Sequence, residues 1–344
     1  MVKARSRLLT QLTVVVIGLG VSVAGMLRAA ETTLPPLPKA VSSFGATICD
    51  GYLYVYGGHA GKTHNYDTSN VLGTFYRLKL SAPERWEALT GGPIAQGLNL
   101  VSYRGKIYRI GGMQPRNAPG EAADNHSLNT TACYDPKAGT WEELPPLPAG
   151  RSSHDVVVAG DWLVVVGGWQ LRGRGQAPVW HDTTLLVDLR QPSWKWESLP
   201  QPFQRRALAA VAIGHKVYVL GGLAPDGPDP RVDILDLTTR QWQRGPDLPG
   251  KDRNAFAPAA CNLQDQVIIF TADGSLYRLG PQGKEWEKIG QAATKRLVAR
   301  LLPWTERSVL LIGGAGSGQN HNSLEIISVP ALPVTASAEA KPDK

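Results

Sequence analysis

The chain has 344 residues, 42% of them apolar and 19% charged, enough for a packed core, and the apolar residues fall in short runs that exclude a protein of long amphipathic helices. Formal net charge is +7, but Lys3, Arg5, Arg7 and Arg28 sit in one N-terminal stretch, and without them the excess is +3. The remaining charges are mixed in sign, which sets nucleic-acid binding aside despite a sequence pI near 9.3.

Lys3, Arg5 and Arg7 precede an uncharged run from Leu8 to Leu27. A positive region followed by a hydrophobic one over residues 1–30 reads as a secretory signal. Ser22-Val23-Ala24 fits the small-x-small cleavage rule, whereas Arg28 spoils the pattern at Arg28-Ala29-Ala30. The alternative is an uncleaved membrane anchor through residues 8–27, long enough to span a bilayer. Both readings export the rest of the chain: periplasmic, secreted, or anchored on the outer side.

From residue 31 the chain repeats itself. Double glycines stand at Gly57-Gly58, Gly111-Gly112, Gly167-Gly168, Gly221-Gly222 and Gly313-Gly314, and a degenerate copy ends in Thr271-Ala272. Trp86, Trp141, Trp196, Trp242 and Trp286 follow in register. The clearest copy is Trp141 to Gly168. In it a short strand stops at Pro145-Pro146, and Val156–Ala159 and Leu163–Val166 are joined by Gly160-Asp161, a tight hairpin signal. Four short strands per period of about 40–55 residues is the signature of a β-propeller.

The runs Tyr52 to Gly58, Ile107 to Gly112 and Val217 to Gly222, with the spaced tryptophans, resemble the kelch-repeat family over about residues 31 to 330. The resemblance implies an all-β, six-bladed propeller of four-stranded blades, at about residues 40–90, 91–147, 148–200, 201–248, 249–290 and 291–330. Leu34-Pro35-Pro36-Leu37-Pro38 repeats Leu144 to Pro148 residue for residue. Residues 31–38 are therefore expected to close the last blade from the N-terminus, within a propeller of residues 31–333. Residues 334–344 read as a disordered tail.

Catalytic signatures are sparse. Gly314-Ala315-Gly316-Ser317-Gly318 lacks the spacing and following helix of a phosphate loop, and no GxSxG or HExxH occurs. Cys49, Cys133 and Cys261 show no zinc spacing and read as small buried residues, with a disulfide between blades as the alternative. Cys49 and Cys261 are expected at equivalent places in their copies. The polar clusters around His64, His126, His181 and His321 read as turn-capping groups, so no metal or cofactor is expected.

Ligand binding is expected on the face that carries the loops leading into each first strand and the loops after each double glycine. In kelch propellers the lead-in position points toward the central opening, so the resemblance gathers Arg151, Arg206, Arg253 and Arg296 near one mouth, where arginine clamps a carboxylate or phosphate. The loop Trp169 to Trp180 adds Arg172 and Arg174 between two tryptophans, suited to a sugar ring or a peptide. The leading expectation is an exported, monomeric binding module for a protein or carbohydrate ligand. The alternative is a sugar-acting enzyme of the sialic acid mutarotase type, with His154 or His181 as the base.

Overall fold

The computed structural model describes residues 34–250 and 252–331. The expected signal segment at residues 1–30, residues 31–33 of the closing segment expected over 31–38 and the tail expected at 334–344 lie outside the described residues. Five antiparallel four-stranded blades follow one another in chain order. Their innermost strands are Gly45–Cys49, Asn99–Tyr103, Asp155–Ala159, Ala209–Ile213 and Ala259–Leu263. Blade 6 has three strands among the described residues, Arg300–Thr305, Ser308–Ile312 and Leu324–Ser328. The six innermost strands are neighbours in sequence order, and the first also meets the sixth, so the sheets form a ring.

The core lies between blades. Val157, Val164 and Leu186 of blade 3 pack with Val217, Val219 and Leu235 of blade 4, and other blade pairs form similar clusters. A single blade exposes both apolar faces of its sheet, so only the ring buries them. Tight turns join the first and second strands; at Asp50-Gly51 φ is 45° and 77°, the paired positive values of a type I′ hairpin.

The double glycine makes a backbone link between blades. Gly112 donates its N–H to the Arg151 carbonyl at 2.9 Å, and Gly58, Gly168, Gly222 and Gly314 donate likewise to Ala95, Arg205, Ala255 and Val41. At Gly111, with φ +58°, a Cβ would stand 2.5 Å from that same Arg151 oxygen, so the approach needs glycine.

A second set of links circles the axis. Ser43, Gly97, Ser153, Ala207, Ala257 and Val298 hold equivalent places just before the inner strands, and all six have φ between 47° and 63°. Gly97 donates its N–H to Ser43, Ser153 to Gly97, Ala207 to Ser153, Ala257 to Ala207, and Ser43 to Val298. Tryptophans provide a third set at the rim. Nε1 of Trp141, Trp196, Trp242 and Trp286 donates to Thr90, Pro145, Pro200 and Pro246 of the preceding blade, at 2.9–3.2 Å.

The N-terminal segment joins this last pattern. Trp86 donates to the Pro35 carbonyl at 3.2 Å. The Leu37 N–H reaches Asn322 of blade 6 at 2.8 Å, as Leu147 reaches Asn129 and Leu248 reaches Pro230 in their own blades. Leu34 and Leu37 pack between blades 6 and 1 with Leu310, Ile312 and Val55.

Blade 5 is the degenerate copy. The Thr271 N–H bonds the Ser275 carbonyl, and its Oγ1 donates to Asp273 at 2.8 Å, so the second strand turns at once into the third. Among the described residues, all three kinds of link are absent between blades 5 and 6: no bond from Ala272 to Arg296, none from Val298 to Ala257, and no tryptophan. A side chain spans that boundary instead, with Arg278 Nη1 donating to the Pro330 carbonyl at 3.0 Å.

Cys49, Cys133 and Cys261 are buried free thiols. The expected equivalence of Cys49 and Cys261 does not hold. Cys49 ends its strand, whereas Cys261 lies mid-strand, at the place Thr47 takes in blade 1.

Candidate functional site

Four of the loops after the second strands fold into small hairpins, among them Trp169–Gln170 with Val179–Trp180 and Ala315–Gly316 with Gln319–Asn320. Gly314 to Gly318 is thus the start and tip of a hairpin. The lead-in loops pair with these segments through bridges such as Ser152 to Trp169 and Arg206 to Leu223. Both loop sets therefore share one face, and the ten residues singled out from sequence divide there into four groups.

Arg151, His154 and His181 form a buried group. Arg151 is 2% exposed and donates both Nη atoms to Thr183, to the carbonyl at 2.9 Å and to Oγ1 at 3.2 Å. Burial lowers its pKa to about 10, so it remains a cation. Nε2 of His181 lies 3.0 Å from the Gly150 carbonyl and so carries the proton. Burial, then Arg151, lowers this imidazole's pKa to about 4, which leaves it neutral. His154 takes the place of Phe44, Leu98, Leu208, Pro258 and Ala299 in the other blades. It is 3% exposed, its ring packs against Gly111, and neither ring nitrogen has a hydrogen-bond partner among the described residues. Burial pushes its pKa far down, helped by Arg151, His181 and Arg300. The geometry places His154 at the interblade core, buried against Gly111 and lining a small cavity with Ser153, Leu208 and Arg300.

Arg172 and Arg174 shape their own loop. Nε and Nη2 of Arg172 donate to the Ala177 carbonyl at 3.2 and 3.0 Å. Arg174 donates Nη2 to the Ala122 carbonyl at 2.7 Å and its N–H to Asp124 at 2.8 Å, holding the blade 3 hairpin against the blade 2 loop.

Arg206, Trp169 and Trp180 come together. The guanidinium carbon lies 3.9 Å from the Trp169 ring centroid and 5.8 Å from that of Trp180, and the two rings are 5.5 Å apart. Arg206 makes no side-chain hydrogen bond or ion pair among the described residues, and Nε and the Trp169 Nε1 are buried without partners. Two residues that sequence reasoning missed complete the group. Tyr66, from the blade 1 loop, feels the Arg206 charge: burial raises its pKa, while Arg206 and Gln96 lower it. Arg206 comes from blade 4, so no local motif could have reported this influence. Val179, at 41% exposure, is the large apolar residue most open to solvent among those described, and it adjoins Trp180.

Arg253 and Arg296 lie elsewhere, along a cleft between blades 5 and 6. Arg296 is 2% exposed and donates to the Gly313 carbonyl, Ser323 Oγ and Glu325, whereas Arg253 is exposed. Arg151, Arg296 and the neighbouring Arg205 thus hold their own blades, while Arg206, one residue further on, turns to the loop face.

A ring of six four-stranded-type blades with glycine-doublet links and stacked tryptophan anchors defines a β-propeller of the kelch type. The kelch motif model matches residues 97–148 and 204–249, the second and fourth blades. It is 28% identical to Kelch-like protein 35 of Mus musculus over 76% of this chain and 39% of that protein. It is 22% identical to Kelch-like protein terF of Aspergillus terreus over 65% and 48%, and 24% identical to Kelch repeat and BTB domain-containing protein 12 of Homo sapiens over 71% and 39%. The chain thus spans about two fifths to one half of the length of these relatives. The solved structure of YjhT shares the fold, with a TM-score of 0.70 and 20% identity over 86% of this chain and 97% of that one.

Proposed function

We propose that this propeller is an exported binding module whose loop face holds an acidic group of a protein or carbohydrate ligand between Arg206, Trp169, Trp180 and Tyr66. The observation that carries the proposal is the unengaged guanidinium of Arg206, lying over Trp169 at 3.9 Å. A cation lying on one aromatic face keeps its N–H edges for a carboxylate, and the flanking rings supply flat apolar area for a sugar or a side chain. Export rests on the basic and apolar pattern of residues 1–30.

The test is a thermal-shift screen of residues 31–344 against acidic and neutral sugars and short acidic peptides, because a ligand that binds only the folded state raises the melting temperature. A shift seen with an acidic ligand and lost in Arg206→Ala supports the proposal. An equal shift in both proteins refutes the assignment of Arg206.

The second reading, a mutarotase-type enzyme, is prompted by Tyr66, a titratable hydroxyl whose pKa the charge of Arg206 lowers. Proton NMR of anomer exchange in an acidic sugar decides it. Exchange that is accelerated by the wild type and lost in Tyr66→Phe establishes catalysis; no acceleration leaves the binding module.

A further inference from the structure

The boundary between blades 5 and 6 gives up the glycine link, the axial link and the tryptophan link that the described residues show at the other five boundaries. Departures from a repeating rule concentrate where a site has displaced stability. Here the departure opens space. The Thr271 to Ser275 turn stands where other blades raise a longer loop, and beside it lies a cleft of about 320 Å3.

The cleft is lined with cations. Arg253 and Lys295 are exposed at its sides, and neither forms an ion pair among the described residues. Arg296 also lines it, buried, with Nε lacking a partner. The lining carboxylate, Asp273, is already engaged by Thr271 Oγ1 at 2.8 Å, the Ser275 N–H at 3.0 Å and Asn254 Nδ2 at 3.0 Å. These bonds hold the turn that shapes the cleft, and they lower the Asp273 pKa against the effect of burial. Ser317, at the tip of the blade 6 hairpin, adds a hydroxyl at the rim.

We propose that this cleft is a second binding site, separate from the Arg206 group, for a small molecule that carries a tetrahedral oxyanion, a phosphate or sulfate ester. Arg253 supplies a planar fork for two oxygens and Lys295 a point charge for a third. The volume accommodates a body of sugar size behind the anion.

The experiment is a titration of the full-length protein with inorganic phosphate at low ionic strength, followed by 31P line width, with sulfate as competitor and chloride as control. Saturable broadening that sulfate reverses and an equal ionic strength of chloride does not is expected, since screening alone treats the anions alike. Arg253→Ala and Lys295→Ala should each weaken phosphate binding about tenfold. Both substitutions are at exposed side chains and leave the core intact. Absence of saturable broadening in the wild type, chloride matching sulfate, or unchanged binding in both variants overturns the proposal. Loss of binding in Arg206→Ala would move the anion to the other site.

Discussion

Arg300 and Asp155 join opposite sides of the ring. Each is the first residue of its inner strand, three blades apart, and Arg300 Nη1 donates to Asp155 Oδ1 at 3.2 Å across the axis. Asp155 also accepts from Asn99 Nδ2 and the Ala210 N–H, both at 2.8 Å, and Arg300 Nε donates to the Phe44 carbonyl at 2.8 Å. Blades 1, 2, 3, 4 and 6 thus meet at one ion pair, beside a channel cavity of about 310 Å3 lined by the inner strands.

The two halves of this pair differ in what they leave behind. Asp155→Ala leaves the half-buried Arg300 cation with the Phe44 and Leu98 carbonyls but no counter-charge and should cost about 3–5 kcal/mol. Arg300→Met leaves Asp155 with three donors, the Asn99 amide and the N–H groups of Val156 and Ala210, and should cost about 1–2 kcal/mol. Urea unfolding measures both, and equal costs would show that the pair does not organise the axis.

Acid should unfold the protein through its buried histidines. His154 and His181 both have pKa values lowered by burial. As pH falls through about 6.5 the unfolded chain gains their protons, while the folded chain keeps His181 neutral down to about 4. The His181 contribution is therefore complete above pH 6.5 and is lost between there and pH 4, and that of His154 begins to be lost at the same pH. His154→Leu installs the residue that blades 2 and 4 carry at this place, Leu98 and Leu208, and should raise stability at pH 5 by about 2 kcal/mol relative to wild type. The readout is the pH slope of the unfolding free energy, and an unchanged slope contradicts the assignment.

The segment before the first blade packs between blades 6 and 1, and ring closure is expected to depend on it. Leu37 is 3% exposed, and Leu37→Ala should cost about 2–4 kcal/mol. Trp86→Phe keeps the ring but loses the bond to Pro35, at about 1 kcal/mol. Removal of residues 31–38 should lower the melting temperature by more than either substitution. A truncated protein that melts with the wild type would disprove closure through this segment.

At the loop face, charge and shape separate. Arg206→Lys keeps the cation without the flat surface that rests on Trp169, and should lose about three- to tenfold in affinity for an acidic ligand; Arg206→Ala should lose more. Titration calorimetry distinguishes them, and equal affinity in Arg206→Lys and wild type would mean that stacking contributes nothing.

The ring was legible because its links recur. Double glycines and tryptophans mark backbone contacts made at five of the six boundaries, and one period shows them all. The Leu34 to Pro38 repeat marked, for the same reason, a segment that packs between blades 6 and 1. The roles of the arginines were less legible. Arg205 and Arg206 are adjacent, yet one is buried against its own blade and the other lies over Trp169, because adjacent side chains in an extended backbone point opposite ways. His154 looked like a base because histidine usually is polar and accessible. Its neighbours in the repeat, Phe44, Leu98 and Leu208, identify it as a core residue. Tyr66 gave no signal, since Arg206, whose charge it feels, comes from blade 4.

The gap in the axial chain of N–H to carbonyl bonds has a consequence for motion. At the junction of the chain ends, Ser43 holds Val298 and Gly314 holds Val41. At the boundary between blades 5 and 6 the Val298 and Ala272 amides have no such acceptor among the described residues. In deuterium these two amides should exchange early, and Ser43 and Gly314 late, so that the ring breathes in mid-chain while the junction of its ends stays shut.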